Sequence, residues 1–122
     1  MELDCPDELR PAALAALAAC DLNEGHVAVE LVAAPRIREL NREHRGIDEP
    51  TDVLSFPVDG VTDTPGPREI GDVEICPEHT DDLEEAVVHG ILHLAGYDHE
   101  TDDGEMLAVQ GHVLNALREG AA

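Results

Sequence analysis

Lysine and tryptophan are absent from this chain, and phenylalanine and tyrosine occur once each. With aromatics at only 2% and hydrophobic residues at 43%, the core must be built from Leu, Val, Ile and Ala. All basic charge rests on 7 arginines facing 28 acidic residues, a formal net charge of −21. A field of that sign repels phosphates and excludes a general polyanion binder, unless positive charge is gathered locally. Most of the carboxylates read as a solvated surface suited to solubility or high salt. The three cysteines, Cys5, Cys20 and Cys76, have no CxxC or other ligand spacing. Neither a disulfide framework nor a thiolate zinc site is indicated, and a reducing cytosol is the expected home. No stretch approaches the ~18 apolar residues that span a bilayer, and the opening "MELDCPDELR" has no signal-peptide core. A soluble, cytoplasmic protein with no membrane partner is expected.

The 122 residues suit one domain, 1–122. "PDELRPAALAALAAC" reads as a first helix, "HVAVELVA" (26–33) alternates as a strand, and "PRIRELNREHRG" (35–46) has the Pro-first, Gly-last asymmetry of a second helix. Strands are expected over 52–58 and 71–76, separated by a loop, "DGVTDTPGPREI". "DDLEEAVVHGILHLAG" (81–96) begins with acids and closes on Gly96, a third helix, and a fourth starts near 103. The fold class is α+β (mixed α/β), a single domain with a small sheet of about four strands packed with about four helices.

The third helix carries the chemistry. His89 and His93 stand four apart, about 40° apart in projection, so both imidazoles leave one helix face a turn apart. Gly96 can adopt a left-handed conformation, and His99, three residues on, can turn back toward the pair. Leu83, Val87, Val88, Ile91, Leu92 and Leu94 cover most of the remaining circumference, marking a helix buried nearly all round. Three core histidines satisfied by hydrogen bonds are the bland alternative. A metal site on the helix and following turn, with His89, His93 and His99 as ligands, is the reading preferred. Three imidazoles suit Zn2+, one ion, with nickel possible, and leave a position open for water. In a metalloprotease the residue after the first histidine is the glutamate base; here it is Gly90, which disfavours peptide cleavage and favours phosphoryl chemistry.

The stretch "HGILHLAGYDH" (89–99) resembles the signature of the YbeY family of bacterial ribosomal-RNA maturation endoribonucleases. "LNREHRGIDEPTDVLSFPVD" (40–59) and "IGDVEIC" (70–76) resemble its other blocks, in order. The resemblance implies a metal-dependent, single-strand-specific endoribonuclease in rRNA processing at the small-subunit 3′ end, ribosome biogenesis and quality control. It implies a metal on His89, His93 and His99, with Arg45 lining the cleft. As partners it implies ribosomal RNA, small ribosomal subunit proteins and an assembly GTPase. His44 stands where the family usually has an aromatic, and Gln110 about where many members have a glutamate. A non-catalytic ribosome-assembly factor with a structural metal site is the alternative, and a peptidase a distant third.

Four arginines, Arg36, Arg38, Arg42 and Arg45, fall within ten residues, and Arg38, Arg42 and Arg45 project within about 60° of one another on a helix. That stripe can meet substrate phosphates, or it can be a solvated face paired to Glu39 and Glu43. Ile37, Leu40 and His44 are assigned to the core face. Arg45 is the candidate phosphate ligand; Ser55 and Thr51 either bind substrate or cap a strand. Asp98 either orients a ligand or shapes the turn. His26, His79 and His112 read as surface or structural residues, and Met106 and Cys76 as core.

Overall fold

The structure is a computed structural model that describes residues 2–22, 24–57, 69–98 and 101–120. In chain order it contains β1 (Glu2–Asp4), α1 (Arg10–Ala19), β2 (His26–Leu31), α2 (Ala34–Arg45), β3 (Val53–Pro57), β4 (Glu69–Ile75), α3 (Leu83–Leu94) and α4 (Glu105–Gly120), with short 3-10 turns at Asp7–Leu9 and Pro77–His79. The strands form one sheet in the order β1-β2-β4-β3. The first two pairings are parallel; β3 lies antiparallel on β4 as an edge strand. Four helices and a four-stranded mixed sheet are the composition expected.

Alternation along the strands divides the sheet into two faces. On one, Leu3, Val27, Val29, Val73 and Ile75 pack with α1, α3 and α4 in a core containing Ala13, Ala16, Val87, Val88, Ile91, Leu92 and Met106. On the other, a smaller cluster of Ile37, Leu40, Leu54 and Cys76 seats α2. The absence of bulky aromatics is met by small residues. Ala12, Ala13 and Ala16 on α1 are all buried, and Gly90 on α3 lies flush with the sheet.

Three expectations need correction. The first strand, β1, was not anticipated: three residues with one buried side chain carry no periodic signal, and they are ordered by parallel pairing to β2. Glu69 and Ile70, assigned to the loop at 59–70, open β4, where the register against β2 shifts between His26 and Val27; residues 59–68 lie outside the described residues. His44 is exposed, not core. It sits in the last turn of α2 and stacks on Phe56 with ring centroids 4.7 Å apart, whereas Ile37 and Leu40, a turn or more earlier, are buried.

The face of the sheet that α2 covers only in part is acidic. His26 bridges it, with Nε2 2.7 Å from Asp4 Oδ2 and Nδ1 2.9 Å from Glu69 Oε2. Glu69 first, then Asp4, pushes its pKa up to about 9. Glu74, paired across the ladder with Glu30, has its pKa raised to about 7 by burial and then by the Glu30 charge. Its folded pKa exceeds the ordinary value of 4.5. Protonation therefore favours the fold, and a penalty builds as pH rises from about 4.5 through about 7. Glu74→Gln is expected to raise the melting temperature at pH 8 and leave it unchanged near pH 4.5. Equal shifts at both pH values in thermal denaturation would contradict this assignment.

Candidate active site

The cleft that carries the candidate residues has a volume of about 710 Å³ and lies between the edge strand β3 and the C-terminal half of α3. Arg45, Thr51, Asp52, Ser55, His89, His93, Tyr97 and Asp98 are among its lining residues. Residues far apart in sequence meet there because α3 runs across β3 and β4. That approach depends on Gly90. A Cβ at this position would lie 2.5 Å from Val73 Cγ1 and 3.2 Å from Ser55 Oγ. Ser55 confirms how close the layers are: its hydroxyl donates to the Gly90 carbonyl at 2.8 Å. The place of the missing glutamate is thus a packing contact with the sheet, where no side chain fits.

Helix α3 starts on Asp82, whose carboxylate accepts from the Glu85 amide at 3.1 Å and pairs with Arg118 of α4. It ends in a Schellman motif: the Gly96 amide donates to the His93 carbonyl and the Tyr97 amide to Leu92, both at 3.0 Å, with Gly96 at φ +102°. The left-handed glycine expected from the sequence is therefore present. The motif also orients a histidine. The carbonyl of Tyr97 lies 3.0 Å from His93 Nδ1, and since a carbonyl can only accept, Nδ1 carries the proton and Nε2 takes the acceptor role.

His89 is fixed in the same sense by another element. Gln110 of α4 lies on the apolar stripe with Met106, Val113 and Leu114, all buried. Its Oε1 is 2.8 Å from His89 Nδ1. With the amide oriented this way, His89 Nδ1 is also the donor, and its Nε2 takes the acceptor role. The two Nε2 atoms face each other at 3.2 Å, with ring centroids 4.7 Å apart and ring planes at 79°. Two lone pairs at that distance repel unless a proton or a metal ion lies between them. Nitrogens bound at ~2.0–2.1 Å to a tetrahedral ion stand about 3.3 Å apart, so this pair fits two corners of such a shell. The donor set, neutral imidazoles each held from behind by an acceptor, is the one borderline divalent ions take.

The structure brings Arg45, Ser55, His89 and His93 to one cleft. Among the described residues no three His, Cys, Asp or Glu side chains converge to hold a metal ion; His99, the third expected ligand, lies outside them. Arg45 is the last residue of α2, exposed, and makes no ion pair with any described residue. The turn beyond it begins at Gly46, φ +72°, and is tied back by the buried Asn41, whose Nδ2 donates to the Glu49 carbonyl at 2.8 Å. Arg38 and Arg42 do not line the cleft. Arg38 is held by Asp48 through Nε–Oδ1 at 2.8 Å and Nη2–Oδ2 at 3.1 Å, and Arg36 by Glu39 at 3.0 Å. Met106 and Cys76 are core, as expected. Sequence reasoning did not give Gln110 its role. The available signal was a lone amide in an otherwise apolar stripe at i, i+4, i+7 and i+8 from Met106.

Comparison with known proteins decides the family. The sequence model of the endoribonuclease YbeY family matches residues 8–118. The chain belongs to the YbeY family. Among its relatives, endoribonuclease YbeY of Rubrobacter xylanophilus is 46% identical over 97 residues, covering 77% of this chain and 69% of the relative. That of Nitrobacter hamburgensis is 40% identical over 115 residues, covering 80% and 60%. The solution structure of TM1509 from Thermotoga maritima superposes with a TM-score of 0.56 at 30% identity, covering 94% of this chain and 88% of that one. The described residues of the blocks quoted from the sequence thus lie within a YbeY fold, with the two histidines of α3 and Arg45 around one cleft. Among the described residues no helix is long and apolar enough to cross a membrane.

Gln110 contacts His89 Nδ1 through its Oε1. Were the histidine pair to hold zinc, Gln110→Leu, close in size and without an acceptor, is expected to lower that affinity about 10- to 100-fold, while Gln110→Glu retains it. Competition with a chromophoric chelator measures both. Equal affinities for Gln110→Leu and the parent would show that the 2.8 Å contact does not hold the imidazole for a ligand.

Proposed function

We propose that this chain is a metal-dependent endoribonuclease acting on single-stranded RNA, with ribosomal RNA as its substrate, in maturation of the small-subunit 3′ end and in ribosome quality control. Small-subunit proteins and an assembly GTPase are the expected partners in the cytoplasm. The observation that carries the reading is the pair of Nε2 atoms 3.2 Å apart in the same cleft as Arg45, an exposed arginine with no ion pair among the described residues.

His89, His93 and His99 are assigned as the ligands of one zinc ion, with nickel as the alternative. When bound, zinc supplies Lewis-acid polarisation of a phosphoryl oxygen and lowers the pKa of a water ligand to roughly 7. Gln110 and the Tyr97 carbonyl hold the imidazoles in the tautomer that leaves Nε2 available. Arg45 offers a planar fork to the non-bridging oxygens of the phosphate that is cut. Ser55 borders the substrate, but its proton is engaged by the Gly90 carbonyl, so its role is to lock α3 onto β3. Arg42 and Arg38 lie outside the cleft and contribute only through the longer-range field.

Charge makes the metal a condition of binding as well as of turnover. Among the described residues Arg45 shares the cleft with Asp52 and Asp98, and a divalent cation adds the positive charge that a phosphate needs beside them. Cleavage of a 5′-labelled single-stranded RNA covering a small-subunit 3′ end tests the proposal. The zinc-loaded protein should cut it and leave a duplex of the same sequence intact. After chelation, both cutting and binding should disappear, and zinc should restore them. Undiminished ribosome association by a protein that never cuts RNA would instead favour a non-catalytic assembly factor.

A further inference from the structure

On the other side of β3 from the catalytic cleft is a groove of about 590 Å³, lined by Leu40, His44, Arg45, Leu54, Phe56, Asp72 and Glu74 among others. The two depressions share Arg45, Leu54, Ser55 and Pro57, so the edge strand and the arginine form a saddle between them. We infer that this groove is a nucleobase subsite: the base next to the scissile phosphate crosses the saddle, stacks on the His44–Phe56 pair, and presents its amino or imino edge to Asp72 and Glu74. The inference rests on the RNA-cleaving role proposed above.

Three observations carry it. First, the chain's only phenylalanine is half-buried here rather than in the core, and the exposed His44 ring lies against it, 4.7 Å away at 54°. Two rings held at a sheet edge are the usual platform for an unpaired base, since every base has a π-face. Second, the floor is acidic. Asp72 lies opposite Phe56 in the β3–β4 ladder and Glu74 opposite Leu54; Glu74 has Glu30 beside it, and its Oε2 is a buried acceptor with no hydrogen-bond partner among the described residues. Carboxylates here repel a phosphate and accept from N–H groups, so the strand can enter in one sense only, backbone toward Arg45 and base toward the sheet. Third, Arg45 belongs to both depressions, which places a phosphate and a base within one nucleotide of each other.

The chemistry predicts selectivity. Cytosine, adenine and guanine offer exocyclic amino groups to a carboxylate. Uracil has a single imino donor flanked by two carbonyl oxygens, which a carboxylate repels. Uridine should therefore be disfavoured at this position, and a base paired in a duplex cannot present that edge at all.

The test uses the zinc-loaded full chain at pH 8 with a pool of single-stranded RNAs randomised around the cleavage site. Product ends are sequenced, and binding of a labelled short 2′-O-methyl RNA is followed by anisotropy. Expected results are depletion of uridine at one position flanking the cut and a loss of roughly 5- to 100-fold in RNA affinity for His44→Ala, the range of one base stack. His44→Tyr should recover the affinity, and Glu74→Gln, which can both donate and accept, should relieve the uridine penalty. If the parent cuts RNA while His44→Ala binds and selects as the parent does, the subsite is overturned and the nuclease reading stands. If the parent neither cuts nor binds RNA, both fall together.

Discussion

Gly90→Glu, the change that would complete a metalloprotease motif, is expected to unfold the protein rather than make it a peptidase. The milder Gly90→Ala shows why. In an open helix interior that substitution stabilises by about 0.5–1 kcal/mol. Here the new methyl group would lie 2.5 Å from Val73 Cγ1, a fully buried β-branched side chain with little freedom to move. Overpacking of this kind costs about 1–3 kcal/mol. The clash wins over propensity, and Gly90→Ala should lower the melting temperature by roughly 4–8 °C for each kcal/mol lost. Glu adds the burial of a carboxylate against the sheet, several kcal/mol more, which removes most of a typical stability of about 5–15 kcal/mol. Denaturant titration followed by circular dichroism measures both variants. A Gly90→Ala protein as stable as the parent would mean that α3 does not ride directly on Val73.

Arg45→Ala is expected to reduce kcat/KM on single-stranded RNA by about 10²- to 10³-fold, the cost of removing one positioned charge from a reacting phosphate. Its zinc content and melting temperature should not change, because the residue is exposed at the end of α2 and makes no ion pair with any described residue. Arg45→Lys should recover only part of the loss, since a lone ammonium cannot make the two parallel contacts of a guanidinium. Steady-state kinetics on a labelled RNA, with zinc analysis of the same samples, separates the possibilities. Cleavage undiminished in Arg45→Ala would remove the arginine from the mechanism; loss of zinc along with cleavage would make its role structural.

Local patterns made most of this fold legible. Helices α2 and α3 begin and end within two residues of where proline, glycine and acidic starts place them, and α4 begins within two residues of where its apolar spacing does, because helix signals lie within a few residues of one another. Pairing in the sheet is non-local, and there the reading stopped. The strand of Glu2, Leu3 and Asp4 has too few residues to show a period, and the pairing of Glu69 in β4 depends on His26, more than forty residues earlier in the chain. His44 shows the limit of helical projection. The angle that groups it with Ile37 and Leu40 is right, but at the last turn of α2 the helix has run past the buried cluster, so the same face meets Phe56 and solvent.

The site divides in the same way. The spacing of His89, His93 and Gly96 is a property of one helix and its turn, and it was readable directly. The acceptors behind the two histidines come from the Tyr97 backbone and from Gln110, twenty-one residues beyond His89, and only packing brings them there. The absence of a glutamate at position 90 was visible as a chemical gap. Its cause, the fit of α3 against Val73 and Ser55, required the sheet.

The most direct test of the account is the zinc content of the purified protein after zinc loading and exhaustive dialysis, measured by elemental analysis beside His93→Ala. The account predicts close to one zinc per chain in the parent and a small fraction of that in the variant, with helicity unchanged. A folded parent that retains no zinc, or a His93→Ala protein that retains as much as the parent, would contradict it.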